Sequence, residues 1–228
     1  MSEEIGTDDL PDDVQNVIAR SWPYTLTSRE RLAAMCSAVD YITTHGVEGS
    51  IVECGLWKGG SLFAAVLRLQ GLGAQPREII GFDTFCGMTE PSDLDLDFKG
   101  MRYQDHWAPS SETEPGTSPE DVMALLTSTR YPASAIRLVA GPVEATLPAA
   151  APERIALLRL DTDWYESTRH ELENLYPRLS VGGVLIIDDY GHCQGARRAV
   201  DEYLGGHRIL LHRIDYTGRV GVKQHELV

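Results

Sequence analysis

Glu53-Cys54-Gly55-Leu56-Trp57-Lys58-Gly59-Gly60-Ser61 is the stretch on which the fold turns. Ser50 to Cys54, with Ile51-Val52 as its apolar centre, predicts a short buried strand, and Leu62 to Leu69 predicts a helix that Gly71 and Gly73 close. A strand running through glycines into a helix is the layout of a nucleotide-like cofactor site. A dinucleotide turn also needs a glycine in its middle so that the backbone can approach a pyrophosphate. Trp57 stands there instead. The turn therefore disfavours a pyrophosphate and suits a cofactor without phosphate, such as S-adenosylmethionine. Taken alone it is equally a tight strand–helix connection. Asp83, at the end of the next strand, is placed to accept hydrogen bonds from ribose hydroxyls and shifts the balance to a cofactor.

The same alternation extends in both directions. Upstream, Pro11 to Arg20 and Ser28 to Thr44 read as helices; in the second, Ser28 caps and Leu32, Met35, Val39 and Ile42 recur at helical spacing. Downstream, strands are expected at Glu78–Asp83, Ile136–Ala140, Ile155–Asp161 and Val184–Ile187. Helices are expected at Pro119–Thr129, Val143–Leu147, Glu166–Leu179 and Ala196–Leu204. His207–Arg213 and Arg219–Val222 read as a closing hairpin. This pattern predicts an α/β fold: a mostly parallel seven-stranded sheet with helices on both faces. The division expected is an N-terminal tail and helical extension over 1–46 and a catalytic domain over 47–228. Within that domain, residues 84–117 form a lid, because a loop of that length with little periodicity usually serves binding.

Ligands of such sheets bind beyond the carboxyl ends of the strands. Glu53, Asp83, Asp161 and the pair Asp188-Asp189 all fall at predicted strand ends. Residues two apart in extended chain face the same way, so Asp161 and Asp163 point together, and neighbouring strands lie about 4.8 Å apart. Converging carboxylates repel, so a cation belongs among them, and an all-carboxylate set suits a hard ion such as Mg²⁺. The competing reading is solvated turn acids; two clusters on adjacent strands favour the metal. Leu175 and Tyr176 read as core, His192 and Cys193 as a loop histidine and a free thiol, and Glu144 as a weak cofactor-edge residue.

Charge narrows the partners. Residues 1–13 carry six acids and no base, and residues 86–121 nine acids and two bases, which together hold all but one unit of the net charge of −14. A chain without a basic cluster is a poor nucleic-acid binder. The longest apolar run, Val181 to Ile187, falls far short of the ~20 residues of a membrane span. Cys36, Cys54, Cys86 and Cys193 form no Cys-x-x-Cys, which reads as reduced thiols in a cytoplasmic protein.

Several ordered blocks make the chain similar to a known family. They are Val52-Glu53-Cys54-Gly55-Leu56-Trp57-Lys58-Gly59-Gly60-Ser61, Phe82-Asp83-Thr84-Phe85-Cys86-Gly87-Met88, and Leu158-Arg159-Leu160-Asp161-Thr162-Asp163-Trp164-Tyr165-Glu166-Ser167-Thr168. Leu175-Tyr176-Pro177, Val181-Gly182-Gly183 and Asp188-Asp189-Tyr190 follow. The chain resembles the macrocin O-methyltransferase (TylF/MycF-type) family of sugar methyltransferases, within the class I S-adenosylmethionine (Rossmann-like) fold. That resemblance implies Mg²⁺-dependent transfer of a methyl group from S-adenosylmethionine to a sugar hydroxyl in antibiotic biosynthesis. It implies Asp161, Asp188 and Asp189 as metal ligands and Asp163 as general base. It implies Glu53, Gly55, Trp57, Gly59, Ser61, Asp83, Thr84, Phe85, Gly141 and Asp161 as cofactor contacts. Thr162 replaces a frequent Gly of the family and Trp164 a frequent Leu. The expected partner is a small-molecule glycoside, covered by Met88, Phe98, Met101, Tyr103 and Trp107 of the lid with help from Tyr24 and Met35; a homo-oligomer is the family habit. A carboxylate–Mg²⁺ phosphate-ester hydrolase would share the acids but not need the Glu53–Ser61 turn. A non-catalytic nucleoside- or sugar-binding module would not need intact acids at every strand end.

Overall fold

A computed structural model of the chain describes residues 9–107, 117–205 and 209–225. Its elements, in chain order, are α1 (Asp12–Ser21), α2 (Arg29–Thr44), β1 (Ser50–Cys54), α3 (Gly60–Gly71), β2 (Ile79–Asp83), α4 (Pro119–Thr127), β3 (Ile136–Ala140) and α5 (Val143–Thr146). They continue with β4 (Ile155–Leu160), α6 (Tyr165–Leu175), β5 (Leu179–Ile187), α7 (Gln194–Leu204), β6 (His212–Arg213) and β7 (Arg219–Val222). The strands form one seven-stranded sheet in the order β3-β2-β1-β4-β5-β7-β6. The five strands from β3 to β5 are parallel, and the closing hairpin is antiparallel, with β7 pairing β5.

Alternate strand residues feed two apolar cores. Ile51, Ile79, Leu157, Val184 and Ile186 join the helices α1 to α4 in one core. Val52, Ile80, Leu158, Leu185 and Ile187 join α5 to α7 in the other. Met35 belongs to the first core at 1% exposure, so, contrary to expectation, it does not contribute to an acceptor pocket. Its position on the inward stripe of α2 decides this, as the 3.6-residue period requires. Leu175 and Tyr176 are buried, as expected.

Most boundaries shift by only a residue or two, but the first strand of the closing hairpin is His212–Arg213 rather than His207–Arg213, and the region around Pro177 differs more. The helix after Asp163 stops at Leu175 rather than Leu179, and Tyr176–Arg178 forms a 3₁₀ turn. Pro177 lacks an N–H and disfavours helical geometry in the residue before it. Strand β5 then starts at Leu179 rather than Val184, running nine residues with its outer half against the solvent. Among the described residues no helix is long and apolar enough to cross a membrane.

Residues 108–116 of the expected lid lie outside the described residues. The preceding stretch is tied down. Asp95, buried at 1% exposure, accepts the Tyr165 N–H at the start of α6 (2.7 Å) and the Ser92 N–H (2.7 Å). Trp164 Nε1 donates to Thr89 O, and Gln194 N–H at the start of α7 donates to Leu96 O. An ideal Cβ on Gly195 would lie 2.0 Å from Asp95 Oδ1, so glycine at that position lets α7 sit on the anchor.

Candidate active site

The strand order reverses between β1 and β4, and the crevice beyond a reversal is where open parallel sheets bind ligands. A cavity of about 650 Å³ opens there. Glu53, Gly55, Trp57, Ser61, Asp83, Thr84, Phe85, Gly141, Asp161, Asp163, Asp188 and Asp189 all line it. Of the expected site residues only Gly59 stays off the wall. Its φ of +81° turns the chain into α3, against Val122. From the expected lid, Met88 reaches the cavity, whereas Phe98, Met101, Tyr103 and Trp107 do not. Tyr24 is replaced on the wall by its neighbours Thr25, Leu26 and Thr27. Glu144 lies on the wall as well.

The β1–β2 half is built from backbone. Asp83 Oδ2 accepts the N–H groups of Leu56 (2.6 Å) and Trp57 (3.3 Å), and Oδ1 accepts that of Phe85 (2.7 Å). One carboxylate thus holds the glycine turn and the loop after β2 together, with about one acceptor site, on Oδ1, left for the cavity. Trp57 and Phe85 carry positive φ values of 49° and 53°. Left-handed backbone at a non-glycine residue costs about 1–2 kcal/mol. The Asp83 bonds hold it in place. Gly55 has no substitute: with φ +81°, a Cβ there would stand 1.9 Å from Asp161 O.

The β4–β5 half is built from charge. Arg159, at 2% exposure, pairs with Glu53, with Asp161 Oδ2 (2.7 Å) and with Asp188 Oδ1. Arg31, from α2, pairs with Asp188 Oδ2 and with Asp215 (3.0 Å). Thr27 Oγ1 donates to Asp188 Oδ1 (3.2 Å). Sequence reasoning anticipates a cation among the acids but misses that the chain brings two of its own. A signal for Arg159 is present: a lone arginine inside the apolar run Ile155–Leu160, on the Leu157 side of the strand. Nothing local in the sequence marks Arg31.

Two guanidiniums do not balance the set of Glu53, Asp161, Asp163, Asp188 and Asp189. Burial pushes the Glu53 carboxyl up to about 7, with Arg159 opposing. Burial also raises Asp161, Asp163 and Asp189 above the usual carboxylate range, and mutual repulsion adds to it. Ligand oxygens of Asp161, Asp188 and Asp189 lie within 4.8 Å of one another. Crowded, incompletely neutralised carboxylate oxygens are the donor set a hard divalent cation requires, so these residues fit Mg²⁺. Asp163 sits beside them with φ +65°, a conformation that turns its side chain back toward Asp189 and Cys193.

Residues 7–221 match the family model of macrocin O-methyltransferase (TylF). The chain belongs to the macrocin O-methyltransferase family. It is 36% identical over 219 residues to the 8-demethyl-8-(2,3-dimethoxy-alpha-L-rhamnosyl)-tetracenomycin-C 4'-O-methyltransferase of Streptomyces olivaceus, covering 92% of this chain and 81% of that protein. It is 33% identical to the mycinamicin III 3''-O-methyltransferase of Micromonospora griseorubida, covering 82% of this chain and 72% of that protein. The solved structure of the O-methyltransferase NovP superposes with a TM-score of 0.79 at 28% identity, covering 89% of this chain and 83% of that one. Like other macrocin-family proteins the chain is an O-methyltransferase of the class I fold, and the family implies S-adenosylmethionine as methyl donor.

Proposed function

We propose that this enzyme is a Mg²⁺-dependent sugar O-methyltransferase acting on a glycosylated natural product or aminoglycoside. The observation that carries the reading is the meeting, in one cavity, of the Asp83-tied glycine turn with the Asp161, Asp163, Asp188 and Asp189 cluster. The named relatives act on a rhamnosyl-tetracenomycin and on mycinamicin III, which supports a glycoside acceptor here. The catalytic domain is 47–228, into which Thr27 and Arg31 of the N-terminal extension reach.

On this reading Glu53, Gly55, Trp57, Ser61, Asp83, Thr84, Phe85 and Gly141 hold the cofactor, and Asp161, Asp188 and Asp189 hold the metal. S-adenosylmethionine supplies a sulfonium-activated methyl group, and bound Mg²⁺ acidifies a neighbouring hydroxyl. The chain's own residues do the rest. Asp83 fixes the turn on which the cofactor lies. Arg159 and Arg31 hold Asp188 so that its carboxylate does not swing. Asp163 accepts the proton of the sugar hydroxyl as its oxygen bonds to the methyl carbon and the carbon–sulfur bond breaks. Water is limited by Trp164, whose indole is fixed to Thr89 at the cavity wall. The acid block in 86–121 repels a diphosphate, so a neutral or amine-bearing glycoside is preferred to a nucleotide-sugar.

The test is calorimetry with S-adenosylmethionine, with and without Mg²⁺, followed by labelled-methyl uptake over a glycoside panel. Cofactor binding with Mg²⁺-dependent labelling of a glycoside is expected. Full activity in excess chelator would overturn the metal role, and faster labelling of nucleotide-sugars at low salt would overturn the acceptor preference.

A further inference from the structure

Cys193 is buried at 2% exposure at the start of α7, and its thiol points at the site rather than into either core. Its Sγ lies 3.6 Å from Asp163 Oδ1 and 3.4 Å from Tyr103 Oη. An ionised carboxylate only accepts, so the S–H donates to Asp163 and the sulfur accepts from the Tyr103 O–H. A thiol and a phenol both keep their proton at neutral pH, so each has one to donate along this chain.

The backbone repeats this connection. Cys193 forms an antiparallel bridge with Asp97, and its N–H donates to Asp189 O (2.9 Å). The Tyr103 ring packs on Trp164 at 4.9 Å between centroids, and its N–H donates to Asp95 O. Asp95 in turn accepts the Tyr165 N–H. The stretch from Asp95 to Tyr103 therefore rests on both residues that follow Asp163 in the chain and on Cys193, which touches Asp163 itself.

We propose that Cys193 and Tyr103 are positioning residues for Asp163, a hydrogen-bonded chain through which the seated 92–106 segment fixes the carboxylate that takes the acceptor's proton. This rests on reading Asp163 as that base. Asp163 stands on the turn between β4 and α6 with positive φ, and the Cys193 thiol meets its carboxylate from the start of α7. Proton transfer is sensitive to such placement. Neither partner lines the cavity, so the effect falls on turnover rather than on acceptor binding.

The experiment combines kinetics with a direct view of the thiol. In wild-type enzyme the S–H stretching band of Cys193, identified by its loss in Cys193→Ser, is expected to shift in Asp163→Asn and again in Tyr103→Phe. Cys193→Ala should lower kcat about tenfold with acceptor KM within about twofold, the scale of one lost positioning hydrogen bond. Cys193→Ser, which keeps a donor and an acceptor, should restore most of that loss, and Tyr103→Phe should lower kcat about fivefold. The conservative serine and phenylalanine variants guard against misfolding of the alanine variant. Wild-type kcat in both Cys193→Ala and Tyr103→Phe, or a band unmoved by Asp163→Asn, overturns the proposal while leaving the base reading intact. Wild-type kcat in Asp163→Asn overturns the base reading, and the positioning role with it.

Discussion

The crevice holds Asp83 and the acids beyond β4 and β5 in opposite ways, with Glu53 of β1 joined to the second set through Arg159. On the β1–β2 side, Asp83 accepts three backbone N–H groups and organises two loops. On the β4–β5 side, Asp161, Asp163, Asp188 and Asp189 face one another, Arg159 and Arg31, and burial raises Asp161, Asp163 and Asp189. A carboxylate satisfied by backbone shapes a surface. Carboxylates satisfied only by side chains, and incompletely, remain available to a cation and a proton. The first half is thus suited to seating a cofactor, and the second to the chemistry at the acceptor.

That contrast breaks most severely if the charged half is emptied. Asp189→Ala or Asp161→Ala should lower turnover about 10³-fold or more and abolish its response to added Mg²⁺, measured as methyl transfer across a metal titration. Asp163→Asn should lower kcat about 10²–10⁴-fold. Calorimetry should find its Mg²⁺ and S-adenosylmethionine affinities unchanged; a collapse of cofactor binding would mean the halves are not separable.

The backbone half should fail differently. Gly55→Ala places a Cβ 1.9 Å from Asp161 O at a positive φ. A loss of about 2 kcal/mol or more in denaturant unfolding is expected, since neither the strand end nor the turn can shift.

The smallest effect concerns Glu171 on α6, which is fully buried and, among the described residues, has no cation paired to its carboxyl. Burial raises its carboxyl well above the ordinary 4.5. An acid raised in the folded state contributes full stability below about pH 4.5 and loses it as pH rises toward its folded value. Glu171→Gln does not titrate, so it should match wild type near pH 4 and exceed it by on the order of 1 kcal/mol at pH 8. Thermal melts across pH check this; parallel curves would show that Glu171 titrates alike in both states.

Much of the site is legible in the sequence. Strand ends follow from short apolar runs, and parallel sheets put their ligands at those ends, so Glu53, Asp83, Asp161, Asp188 and Asp189 can be named from position alone. The helix and strand boundaries near Pro177 are not legible in the same way, because the apolar pattern runs on through Leu179 whereas the missing N–H ends the helix earlier. Met35 is a case where the periodicity is the better guide: it shares the helical stripe of Leu32, Val39 and Ile42, and that stripe faces the core rather than an acceptor.

The sequence by itself determined the layered α/β architecture, the glycine turn and which carboxylates gather at one edge, because periodicity and punctuation are local properties of the chain. Only the tertiary structure decided what surrounds those carboxylates. Arg31 reaches Asp188 across 157 positions, Asp95 reaches Tyr165 across 70, and Tyr103 reaches Cys193 across 90. Charge neutralisation and hydrogen bonding act through space at contact distance. Their partners are therefore fixed by how helices and loops pack on the sheet, not by any spacing along the chain.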